Sequence, residues 1–168
     1  MSADELVDVV DANDAVIGQS TRREVRQHNL RHRSVYILLF GSTGKLLIHR
    51  RTETKDVYPG YWDVAFGGVL GAGEDYDDGA RRELEEECGV KDVALQRLFR
   101  LDYEDESNRV SGLVYRCRAD GPFKLQESEV STTEWVELDA LRQLSRTRRF
   151  CPDGLVALRR FLVLQAEA

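Results

Sequence analysis

The chain has 168 residues, 42% of them hydrophobic, with 24 Lys and Arg against 30 Asp and Glu and a net charge of −6. That length suits one domain over residues 1–168, and the acidic balance excludes a general affinity for nucleic-acid polymers, whose phosphates attract basic surfaces. The acidic N-terminus, Met1 to Leu6, lacks the apolar core of a signal peptide, and no apolar run approaches the ~20 residues of a membrane span, so a cytoplasmic protein without a membrane partner is expected.

Residues 6–10 and 15–19 flank the turn-rich Asp11-Ala12-Asn13-Asp14 and predict a short hairpin. Thr21 and Glu24 have capping-box spacing for a short helix ending near His28. The β-branched and aromatic run 34–40, the turn Gly41-Ser42-Thr43-Gly44 and the run 46–48 predict a second hairpin, buried on both faces. A charged loop over 51–60 precedes a strand from Tyr61 to Val69 that contains Gly67 and Gly68. The clearest helix then starts at Asp75 as N-cap, has Asp77 and Asp78 in its first turn, buries Ala80, Leu84 and Cys88, and stops at Gly89.

Further strands are expected at 94–103, 110–117 and 133–137, with the acidic run 102–106 as a hairpin loop and the basic run 146–149 as a solvated loop. A last helix begins at Pro152, a favoured first-turn residue, and runs to about residue 166. Strands interleaved with helices predict an α/β fold, an α/β/α sandwich around a mixed sheet. Cys88, Cys117 and Cys151 are odd in number and far apart, so neither a disulfide framework nor a thiolate metal site is expected, and none of the three His pairs with Cys at metal spacing.

The chemistry concentrates in the 75–89 helix. Glu83, Glu86 and Glu87 stand at i, i+3 and i+4, which puts three carboxylates on one helix face, where each like-charged pair costs roughly 0.2–0.5 kcal/mol. A hard divalent cation reverses that cost, and Mg²⁺ prefers carboxylate, water and phosphate oxygens. Gly67-Gly68, just before the helix, lets a backbone carbonyl approach the same ion. The plainer alternative is a solvated acidic helix face.

The spacing Gly68, five residues, Glu74, seven residues, Arg82-Glu83-Leu84, one residue, Glu86-Glu87, one residue, Gly89-Val90 resembles the Nudix box at every fixed position. The resemblance implies the Nudix fold and Mg²⁺-dependent hydrolysis of a diphosphate linkage in a small molecule such as a nucleoside diphosphate derivative, with Mn²⁺ a possible substitute. It implies Glu83, Glu86 and Glu87 as metal ligands, Glu83 as a candidate base, and the carbonyl of Gly68 or Gly67 as a further ligand. Arg82 then orients the carboxylates, and Glu74 is a more distant, partly structural acid. Several Nudix hydrolases use a further late carboxylate, for which Glu129 is the best match and Glu127 the second.

Over roughly residues 5–140 the chain is similar to the isopentenyl-diphosphate-isomerase-like branch, through Arg50-Arg51-Thr52-Glu53-Thr54-Lys55-Asp56, Pro59-Gly60-Tyr61-Trp62-Asp63, Val16-Ile17-Gly18 and Leu30-Arg31-His32-Arg33. Within that pattern Arg50, Arg51 and Lys55 are the candidates to touch substrate phosphates. Counted without gaps, however, Gly67 stands where the isomerases carry a catalytic Cys and Val69 where they carry a metal-binding His. The stretch 108–115, which would hold their second acid, has no Asp or Glu. Isomerisation moves protons on carbon and needs those groups, so hydrolysis is expected in its place. A non-catalytic nucleotide-sensing domain is the other alternative, and the sequence leaves monomer and homodimer equally open.

Overall fold

Strand β3 (His32–Phe40) organises the protein, because its two faces feed two separate cores. A computed structural model describes residues 2–168; of the N-terminal segment considered above, Met1 lies outside them. Tyr36 and Leu38 of β3 pack with Leu46 and Ile48 and with Leu158 and Phe161, while Val35, Ile37 and Leu39 pack with Leu47, Leu84 and Cys88. Alternation along a strand sends successive side chains to opposite faces, so an unbroken apolar run means burial on both. The result is the expected α/β fold: a mixed eight-stranded sheet with helices on either side.

In chain order, β1 (Leu6–Val10) and β2 (Val16–Thr21) form the first hairpin, followed by α1 (Arg22–Gln27), whose Thr21–Glu24 capping box is complete. β3 meets β4 (Leu46–Arg51) at the turn, through Phe40 opposite Leu46. Beyond that pair the two strands take other partners. β3 runs parallel to β7 (Arg109–Arg118), and β4 runs antiparallel to β8 (Val130–Val136). β6 (Gln96–Glu104) closes against β7.

The segment after residue 61 crosses the gap that this divergence leaves. Its first two residues form β5 (Trp62–Asp63) against β4, whereas Phe66 and Val69 bridge to Ile37 and Ser34 of β3. The strand predicted over 61–69 is therefore a short strand and a bulged crossing. Gly67 makes the bulge: its φ is 138°, and a Cβ there would sit 2.0 Å from the Val35 carbonyl oxygen. No side chain, cysteine included, fits at 67 on this path.

Helix α2 (Tyr76–Cys88) covers one face of the sheet, and α4 (Pro152–Glu167) covers the other beside α3 (Leu138–Thr147). α3 was not expected. Its apolar side rests on Leu138, Leu141 and Leu144, and it absorbs the start of the basic run 146–149, which the sequence pattern had as loop. Arg148 ion-pairs with Glu134 at 2.7 Å and lies 4.6 Å over the Trp62 ring. The acidic run 102–106 is likewise mostly strand, since β6 continues to Glu104. Cys88, Cys117 and Cys151 are buried and free. No helix among the described residues is long and apolar enough to cross a membrane.

Candidate functional site

Helix α2 supplies the acidic wall of a cleft at the sheet crossing. The Asp75 carboxylate caps it, accepting from the Asp77 N–H at 2.8 Å, and Gly89 at φ 72° ends it. Ala80, Leu84 and Cys88 form the expected buried stripe. The three glutamates divide around that stripe. Glu83 and Glu87, one turn apart, are 8% and 3% exposed, whereas Glu86 leans into solvent.

Each buried carboxylate is fitted to the crossing segment. Glu87 accepts from the Gly67 N–H at 2.9 Å. Glu83 lies so close over Gly68 that a Cβ there would come within 2.9 Å of both its oxygens. Burial, then the neighbouring Glu83, pushes Glu87 up to about 8, and burial raises Glu83 as well.

Arg82 organises this wall. It grips Glu74 with Nε at 2.7 Å and Nη2 at 2.9 Å, a two-pronged guanidinium–carboxylate pair. Its Nη1 reaches Glu83 at 2.8 Å and Glu86 at 3.2 Å. The repulsion expected between Glu83 and Glu86 is thus offset by one shared cation, whereas that between Glu83 and Glu87 persists. Burial alone would raise Glu74, but Arg82 and the Gly71 N–H outweigh it and hold that carboxyl below its ordinary range.

The opposite wall is basic. Arg51 comes from the end of β4, Lys55 from the following loop, and Arg22 and Arg26 from α1. Arg22 pairs with Asp56 at 3.0 Å, Arg26 donates to Asn108 Oδ1 at 2.9 Å, and Arg51 donates twice to the Val57 carbonyl, at 3.2 and 2.8 Å. Burial, then the charge of Arg51, brings Lys55 down to about 8. Lys55 ion-pairs with Glu129, which joins Glu83 and Glu86 in lining the outer groove.

Of the residues picked from sequence, Glu83, Glu86, Gly67, Gly68, Lys55 and Glu129 line one groove. Glu87 bonds its floor through Gly67, Arg82 braces its acidic wall, and Arg51 lines the cavity directly behind it. Arg50 stands apart. Alternation on β4 turns it away from His49 and Arg51, and it pairs with Glu53 at 2.9 Å and with the Gly60 carbonyl at 3.1 Å. Glu127 is exposed and outside the groove lining. His32 and His49 are 1% exposed and burial lowers both to about 3, so they are neutral; His32 Nδ1 bonds the Leu30 carbonyl, and His49 stacks on Phe66.

Sequence reasoning missed Arg22 and Arg26, although their i, i+4 spacing on a capped helix was visible. It also missed the inner cavity of about 70 Å³, where Tyr36, Asp63, Asn108 and Asp153 come together with Arg51. No local pattern joins those residues.

The donor chemistry fits a hard divalent cation: carboxylates, with a backbone carbonyl beside them. Between the two glycines the geometry discriminates. The Gly68 carbonyl accepts from the Val35 N–H at 3.0 Å, while that of Gly67 has no backbone partner among the described residues. Among the described residues no three acidic, His or Cys side chains already converge on one point, and Arg82 holds both Glu83 and Glu86.

A NUDIX domain profile matches residues 30–154. The chain is 42% identical over 158 residues to an uncharacterized Nudix hydrolase of Pseudomonas aeruginosa, covering 94% of each. It is 41% identical to the uncharacterized Nudix hydrolase YfcD of Escherichia coli K12, over 94% of this chain and 87% of that protein. A crystal structure of a Deinococcus radiodurans protein superposes with a TM-score of 0.82 at 28% identity, covering 93% of this chain and 98% of the other.

Proposed function

The chain belongs to the Nudix hydrolases, enzymes that cleave pyrophosphate linkages, and on that premise we propose that it hydrolyses a small-molecule diphosphate with Mg²⁺, the substrate being a nucleoside diphosphate derivative or a similar compound. One observation carries this reading. Across a single cleft, the α2 carboxylates of Glu83, Glu86 and Glu87 face Arg51, Lys55 and the arginines of α1. Acid on one side suits a divalent cation, and base on the other suits the phosphate oxygens that share it.

Glu83, Glu86, Glu87 and the Gly67 carbonyl would hold the cation, which when bound supplies charge neutralisation at phosphorus and a lowered pKa for water. Glu86 must leave Arg82 to take part, and its solvent exposure allows that. Arg51 and Lys55 bind and orient the diphosphate. Lys55 also holds Glu129 at the groove, where it stands ready to take a proton from the attacking water. Isomerase chemistry lacks support, since no side chain fits at 67 and the groove offers a valine at 69.

A panel of diphosphate compounds tests the reading, scored for phosphate or nucleotide release. Turnover is expected with Mg²⁺ or Mn²⁺ and none with excess chelator; no turnover with either metal across the panel overturns it. Glu129→Gln is expected to lower kcat about 10–100-fold with little change in KM. A wild-type kcat returns Glu129 to a structural partner of Lys55.

A further inference from the structure

The inner cavity adjoins the outer groove, since Arg22, Lys55, Gly67, Gly68 and Val69 line both. At about 70 Å³ it has room for roughly five waters or a polar group of similar size. Its polar end is built by β5 and the first turn of α4, two elements that meet only in the folded chain. Asp63 stands on β5 and Asp153 on α4, 8% and 7% exposed. They sit so tightly that a Cβ on Gly154 would fall 2.2 Å from Asp63 Oδ1.

The two carboxyls are not equivalent. Asp153 is fully engaged: Oδ2 accepts from the Tyr36 hydroxyl at 2.9 Å and Asn108 Nδ2 at 3.2 Å, and Oδ1 accepts from the Gly154 N–H at 3.0 Å. Asp63 spends Oδ1 on the Ala65 N–H at 3.2 Å and is otherwise met by the Cys151 thiol, a weak donor; no N–H or O–H of the described residues reaches its Oδ2. Arg51 complements it. Nε and Nη2 go to the Val57 carbonyl, and Nη1 meets no acceptor among the described residues. One small cavity therefore holds a carboxyl with acceptor capacity to spare and an open donor, and the chemistry proposed above uses only the second.

We propose that this inner end, between Asp63 and Arg51, is a subsite for a hydroxyl of the organic group attached to the diphosphate. A hydroxyl donates to Asp63 Oδ2 and accepts from Arg51 Nη1 at once, so it satisfies both. A phosphate drawn in past Arg51 would meet Asp63 and Asp153 as like charges, so the diphosphate stays on the groove side of that arginine. An ammonium would suit Asp63 but meet Arg51 and Arg26. An alkyl group would strand both partners, and a site built to hydrogen-bond a hydroxyl rejects the analogue without one. Burial, then Asp153, raises Asp63 to about 7, so this pair of acids keeps a proton near neutral pH and tolerates a neutral ligand better than a second anion.

The assignment rests on the diphosphate reading of the outer groove, and its test needs no turnover. Binding of glycerol 3-phosphate, propyl phosphate and 3-aminopropyl phosphate is measured by calorimetry on the full chain with Mg²⁺. Glycerol 3-phosphate is expected to bind at least about tenfold more tightly than propyl phosphate, with the aminopropyl compound no better than propyl. In Asp63→Ala the preference is expected to shrink to within about twofold. Equal binding of the three by the wild type, tightest binding of the ammonium compound, or no binding of any at millimolar concentration overturns the subsite. A hydroxyl preference in a protein that hydrolyses nothing leaves the subsite standing and removes the hydrolase reading. Hydrolysis without the preference does the reverse.

Discussion

Two pairs of buried carboxylates share this cleft, and they solve the same electrostatic problem differently. Glu83 and Glu87 lie one turn apart on one helix, close to Arg82 and across from Lys55. Asp63 and Asp153 are ninety positions apart in sequence and meet where β5 abuts α4. Burial raises all four. The glutamates open onto a groove with a free backbone carbonyl, a setting that a metal ion completes. The aspartates are ringed by Tyr36, Asn108 and backbone N–H groups, a setting that hydrogen bonds and a proton complete. Residue type and burial do not distinguish a metal site from a polar subsite; the neighbouring donors do.

The sharpest way to break this comparison is to neutralise one acid of each pair. Glu87→Gln is expected to lower turnover about 10³-fold or more and to reduce the stabilisation by Mg²⁺, which in the wild type reaches about 2.7 kcal/mol at a hundred times Kd. Thermal unfolding with and without Mg²⁺ checks the second part. An unchanged Mg²⁺ shift removes Glu87 from the metal site.

A smaller effect separates adjacent residues of β4. Arg51→Ala should raise KM about tenfold through the loss of a phosphate contact, while Arg50→Ala, on the far face, should leave kcat/KM within about twofold. Equal losses in both would mean that the 51–60 loop rearranges around substrate.

The smallest expected effect is on stability. Asp63 has a folded pKa of about 7, above its ordinary value, so the native state binds a proton that the unfolded chain has released. Its contribution is fully present below about pH 4 and is lost as pH rises toward 7. Asp63→Asn removes that loss and is expected to be more stable than the wild type at pH 8 by about 1–2 kcal/mol, with little gain at pH 4. Urea unfolding across that range decides; parallel pH profiles for the two proteins would show that Asp63 titrates normally. Unlike Glu87→Gln, this variant should keep the full Mg²⁺ shift.

What could be read before folding follows from range of interaction. Helix α2 was legible in full, from the Asp75 cap to Gly89, because caps, helix spacing and the glutamate cluster are all set within a few residues along the chain. The two-sided burial of β3 was legible from its unbroken apolar run. The acid wall was therefore nearly complete in the sequence, and Lys55 and Glu129 came from family spacing.

Tertiary structure decided the rest. The region 61–69 alternates enough to read as one strand, yet β3 and β4 diverge away from the Phe40–Leu46 pair and force it to change partners at Gly67. That divergence creates the cleft, turns Arg51 inward and Arg50 outward, and brings the α1 arginines opposite α2. Asp63 and Asp153 become a pair only because α4 packs its first turn against β5. Sequence determined which segments form and which face of each is apolar, since those are local balances of spacing and burial; which side chains share one cavity was decided by the contacts of residues far apart in the chain, which no local pattern encodes.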